Sequence, residues 1–155
     1  MHIIHQRRTR DDRGAAAVEF ALVVPILLLV VIGIVNFSFV LAQQISLNSA
    51  ARQAARYGAV AGNSCLAIEG EGKTAASTIG MTASQVPTPV ISNCTAGDNA
   101  DFPCTKPTTG PLVANVTVTM TRLGSSNPWV VTVPPFNLIP RPTLTGRGVM
   151  RCEYS

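Results

Sequence analysis

The chain has 155 residues, of which 46% are hydrophobic, 13% charged and only 5% aromatic, and its net charge is +4. Such a composition leaves room for one domain beside a membrane segment; it is too apolar for an ordinary soluble domain and too poor in aromatics for a large core. No cluster of Lys and Arg interleaved with aromatics is present, so the basic balance does not indicate nucleic acid as a partner.

The first fourteen residues hold Arg7, Arg8, Arg10 and Arg13 against Asp11 and Asp12. They read as a basic leader, residues 1–14, on the cytoplasmic side of the membrane, and His2 and His5 belong to it. A segment without a single charge follows from Phe20 to Ala42, longer than the about 20 residues a spanning helix needs. Positive residues are retained in the cytoplasm, so the N-terminus is expected inside and the bulk of the chain outside. The four cysteines, Cys65, Cys94, Cys104 and Cys152, all follow the apolar run, as expected of disulfides formed in an oxidising compartment. The expected organisation is therefore a transmembrane helix over 15–42, a helical extension over 43–62, and an outer domain over 63–155. Val40-Leu41-Ala42 also satisfies the small-residue rule for signal-peptide cleavage, but the apolar run exceeds the roughly 7–15 residues of a signal core.

Beyond Ala42, QQISLNSAARQAARYGAV contains no Gly or Pro before Gly58, and its alanines favour helix. One helix from about Ala15 to Gly58 is expected, roughly 65 Å long at about 1.5 Å per residue. Gly58 and Gly62 are its candidate stops. Arg52 and Arg56 stand four apart on one face, while Ala51 and Ala55 form a small-residue face that admits a second backbone. A short helix is expected over Thr74–Met81. Strands are expected from Leu112, where Val116, Val118 and Met120 alternate with polar residues, at Trp129–Val133, and over Thr143–Glu153. In the last, Gly146 and Gly148 weaken the strand or admit a bulge.

The chemistry-bearing patterns are few. EGEGKT has the look of a phosphate loop, but the glycine required five residues before Gly72 is Ala67. No histidine follows His5, so no Ser–His–Asp or Cys–His arrangement can form in the outer domain, and no enzymatic activity is expected. No C-x-x-C pair supports zinc, and Asp98, Asn99 and Asp101 lack the distal glutamate of a calcium loop, so neither a metal nor another cofactor is expected. Four cysteines allow three pairings. The expected one joins Cys94 to Cys104 across a short loop and Cys65 to Cys152.

One run remains: Gly14-Ala-Ala-Ala-Val-Glu19-Phe20, Pro25 within the apolar segment, then Ala50-Ala-Arg-Gln-Ala-Ala-Arg-Tyr-Gly58. It resembles the TadE-like family, pseudopilins of tight-adherence (Tad/Flp) pilus systems, and PTLTGRGVMRCE resembles the strand that often closes such proteins. Where that family commonly has an acidic residue, Phe and Gly after the apolar run, this chain has Asn36-Phe37-Ser38. The resemblance implies an α+β, pilin-like fold: a long N-terminal transmembrane helix continuing into a small outer domain with an antiparallel sheet. It implies cutting by prepilin peptidase between Gly14 and Ala15, with Glu19 and Phe20 completing the recognised segment. Glu19 would then pair with the new N-terminal ammonium of a neighbouring subunit, neutralising two charges in a low-dielectric setting. The alternative is a Glu19 that stays solvated at the cytoplasmic interface. Glu19, Pro25, Ala51 and Ala55 are the expected assembly positions of the helix. The implied role is that of a minor pilin or pseudopilin serving pilus assembly or secretion, and through it adhesion. Its implied partners are other pilin subunits and pilus assembly proteins, in a bacterial cell membrane. The rival is an unprocessed single-pass protein whose outer domain binds an envelope or pilus partner.

Overall fold

The computed structural model describes residues 11–76, 86–94, 102–104, 115–123 and 142–153, with side chains from Gly14 onward. The strand expected at Trp129–Val133, the acidic loop of Asp98 and Asp101, and His2 and His5 lie outside the described residues. Among the described residues, two helices and a three-stranded antiparallel sheet are present, giving the α+β class expected. Helix α1 runs Asp11–Ala59 and α2 runs Cys65–Ala76. Strands β1 (Val90–Ile91), β2 (Asn115–Arg122) and β3 (Leu144–Arg151) lie in the order β1-β2-β3. The chain divides into two compact units, Met1–Ser38 and Phe39–Ser155.

The first unit holds the apolar half of α1. Its hydrophobic side chains are exposed or half-buried, from Val18 and Phe20 to Ile34 and Val35, and none of the most apolar stretch is buried. A core helix of a soluble protein would be covered, and contiguous apolar surface on this scale is not left to water. Length and composition make this one candidate membrane-spanning helix.

The second unit is organised around the other half of α1. Gln43, Ser46, Leu47, Ala50, Ala51, Ala54, Ala55 and Ala59 are buried at helical spacing, while Arg52, Gln53 and Arg56 are exposed. Against this face lie Ile68 from α2, Ile91 from β1, and Val116, Val118 and Met120 from β2. The alternation expected of β2 is observed, and its last inward position is Arg122, at 2% exposure. Burial lowers the pKa of the Arg122 guanidinium from its ordinary value.

Strand β3 shows why the helix carries alanines. It pairs with β2 along its whole length, Asn115 opposite Arg151 and Arg122 opposite Leu144, without a bulge. Gly146 and Gly148 are therefore regular ladder residues, and their inward faces meet helix backbone. A Cβ on Gly146 would overlap the carbonyl of Leu47, and one on Gly148 the carbonyl of Ala51. The small-residue face of the helix does admit a second backbone, and that backbone is the chain's own strand.

Expectations are corrected at the ends of α1, where Gly62 is the one of the two candidate stops that turns the chain, and in the cysteine pairing. Helix α1 begins at Asp11 instead of Ala15 and passes through Gly58, whose missing Cβ leaves space for Ile68. It is Gly62, at φ +90°, that turns the chain, while Asn63 Nδ2 donates to the Tyr57 carbonyl at 2.6 Å. The second helix starts at Cys65, where Ser64 caps it (Ala67 N donates to Ser64 Oγ at 3.4 Å), and runs to Ala76; of the helix expected over Thr74–Met81, residues 77–81 lie outside the described residues. EGEGKT is thus a helical segment, in which Gly72 faces Pro89 and Ala54. The cysteine pairing is also different. Cys65 is joined to Cys94, with Cα atoms 5.8 Å apart, and Cys104 to Cys152, at 5.3 Å. The first bond ties the start of α2 to the chain just past β1, and the second ties the end of β3 to the core. Nearness in sequence favoured Cys94–Cys104, but helix and sheet packing decides which sulfurs meet.

The packing predicts opposite signs for glycine substitutions on β3 and on α2. Gly146→Ala or Gly148→Ala drives a methyl into helix backbone and is expected to destabilise by about 1–3 kcal/mol or more. Gly70→Ala, in an open position on α2, is expected to stabilise by about 0.5–1 kcal/mol. Thermal unfolding of the detergent-solubilised protein checks both signs. Non-reducing peptide mapping should return Cys65–Cys94 and Cys104–Cys152, and removing either bond should cost about 3–4 kcal/mol by loop-closure entropy.

Candidate functional site

The expected functional residues all lie on α1, and the structure sorts them into two groups. Gly14, Ala15, Glu19 and Phe20 stand in its first turns, all exposed, with Phe20 at 71%. Ala15 and Glu19 are four apart, so they share a helix face. Beyond Glu19 the next basic residue in sequence is Arg52, so the carboxylate sits beside apolar neighbours, Val18 and Phe20. In lipid such a group requires a partner or access to the interface.

Among the described residues, no packing reason explains Gly14. A Cβ there would meet nothing within 4 Å, in contrast to Gly58, Gly72, Gly146 and Gly148. Its value is conformational. Gly14 lies inside the helix, and glycine is about 1 kcal/mol less favourable there than alanine, so this first turn is easily unwound.

Pro25 lies within α1, which continues through it. Its ring removes the hydrogen bond to the carbonyl four residues back, a loss that membrane helices tolerate. The other two expected assembly residues are corrected: Ala51 and Ala55 are fully buried in the core of the second unit and present no face to another subunit. The signal for this reassignment was in the sequence, since the Gly-x-Gly of β3 is the small-residue complement of an alanine-faced helix.

The outward side of the same helix segment carries Ile45, Asn48, Ser49, Arg52, Gln53 and Arg56, which line an open groove of about 620 Å³. Gln53 is held by a hydrogen bond from Nε2 to Glu71 Oε1 of α2, at 2.7 Å. Among the described residues no cluster of His, Cys, Asp and Glu is arranged to hold a metal.

Residues 14–56 match a family of known proteins. The family is that of the TadE-like protein. The TadE-like match begins at Gly14, ends at Arg56 and lies wholly within α1, so it takes in the exposed Gly14–Phe20 segment, Pro25 and the alanine-faced stretch. No curated protein and no solved structure matches the chain.

Proposed function

We propose that this chain is a minor pilin or pseudopilin of a Tad-type pilus or secretion machine, matured by prepilin peptidase between Gly14 and Ala15. The observation that carries the reading is the coincidence of three features on one helix. The TadE-like match starts at Gly14, an uncovered apolar segment follows, and the same helix becomes the spine of a small disulfide-bonded domain.

In this reading the leader stays in the cytoplasm, the apolar half of α1 lies in the membrane, and the outer unit stands in an oxidising compartment. The peptidase removes residues 1–14, leaving Ala15 as the new N-terminus and Glu19 as its fifth residue. Helix packing then draws the subunit into a filament base, tip or initiating complex, with Glu19 neutralised by the ammonium of a neighbour. The work is assembly, and adhesion or secretion follows from it indirectly. Cleavage after Ala42 fits the structure less well, because Gln43 is buried within an unbroken helix.

Intact mass and N-terminal analysis of the protein from native membranes is the deciding measurement. A chain beginning at Ala15 is expected. A chain beginning at Met1 would favour an anchored binding module, and one beginning at Gln43 would overturn the membrane reading. Gly14→Leu should abolish shortening, whereas Glu19→Ala should leave the protein in the membrane and reduce its incorporation into pili.

A further inference from the structure

The groove on the outward side of α1 has a character that assembly through the apolar segment does not require. Ile45, Ser49, Arg52 and Arg56 follow one another at helical spacing, opposite the buried face of Leu47, Ala51 and Ala55. Both arginines are exposed, and Ile45 is 66% exposed at the end of the row. The hydrogen-bonding side chains of Asn48 and Ser49 lie between, and Gln53 is fixed by Glu71.

We infer that this groove is a docking surface for an acidic segment of another protein, with Arg52 and Arg56 as the paired cations that receive its carboxylates. Charge complementarity selects the occupant. Beyond Ala42 the chain carries eight Lys or Arg against five Asp or Glu. Among the described acidic residues of the outer unit, Glu69 is buried, Glu71 is engaged by Gln53, and Glu153 is exposed. A second copy would thus bring chiefly more positive charge, and like charges facing each other are costly. Two guanidinium groups four residues apart on a rigid helix match carboxylates presented at similar spacing, each able to be bound by both arms of the fork. The exposed Ile45 adds an apolar anchor beside the charged pair, a combination typical of interface centres.

The inference goes beyond the assembly reading and does not depend on cleavage at Gly14, so the two fail separately. The test places a photoreactive benzophenone amino acid at Ser49 in the full-length protein, expressed in the cells that produce it. A control carries the same group at Leu66, which is exposed on α2. Irradiation is expected to yield an adduct from position 49, absent from position 66, whose mass-spectrometric sequence is a segment of a different protein bearing Asp or Glu. In the Arg52→Glu/Arg56→Glu background the yield should fall roughly fivefold or more, while both disulfides still form. Arg52→Lys/Arg56→Lys should retain part of it. An adduct with this same chain or with lipid, an adduct that persists after charge reversal, or no adduct at all would each overturn the inference.

Discussion

Everything in the second unit depends on how closely one strand approaches one helix. At Gly146 and Gly148 the backbone of β3 lies directly on the carbonyls of Leu47 and Ala51, with no side chain between them. This closeness explains several features that look unrelated in the sequence. It requires the alanine run of α1, because larger residues would hold the strand away. It requires the two glycines to be two apart, because only alternate residues of a strand face inward. It also sets the register of β2, whose Val116, Val118 and Met120 reach the core beside β3. A domain with so few aromatics cannot fill a wide interior, and close backbone contact removes the need for one.

The disulfides complete what the small core leaves undone. Each joins a terminus of regular structure to a distant part of the chain, at a sequence separation of 29 in one case and 48 in the other. One holds α2 to β1, which at two residues is too short to be stable alone. The other holds the end of β3, where Glu153 N also donates to the Ala59 carbonyl at 2.9 Å. With Gly62 turning the chain after α1, helix end and strand end are thereby kept together.

The sequence made the periodic elements legible and concealed the contingent ones. The long helix could be read because its apolar run and alanine stretch are unbroken, and β2 because Val116, Val118 and Met120 alternate cleanly. β3 was placed correctly, but its glycines were read as weakness; only the position of α1 shows that they are contact points. The alanines at 51 and 55 were understood as a surface for close approach, yet periodicity cannot tell an intramolecular neighbour from an intermolecular one. The start of α2 is hard to read because glycines 70 and 72 lower its helical propensity, while the deciding cap at Ser64 stands just ahead of it. Disulfide pairing was beyond reach, since it depends on three-dimensional neighbours and not on spacing. Of the candidate site, Gly14 and Glu19 are legible as residues in search of a reason; the structure adds that no packing among the described residues accounts for Gly14.

The glycine seam also has a mechanical meaning. In the second unit α1 is fastened to β3 at Leu47 and Ala51, and again at Ala59 through Glu153. These attachments are distributed along the helix axis, so a pull on the helix loads them together, in shear, instead of opening them one after another. The cross-link at Cys152 lies beside the last of them and prevents the strand end from fraying. A chain held by its helix can therefore bear tension through its folded part.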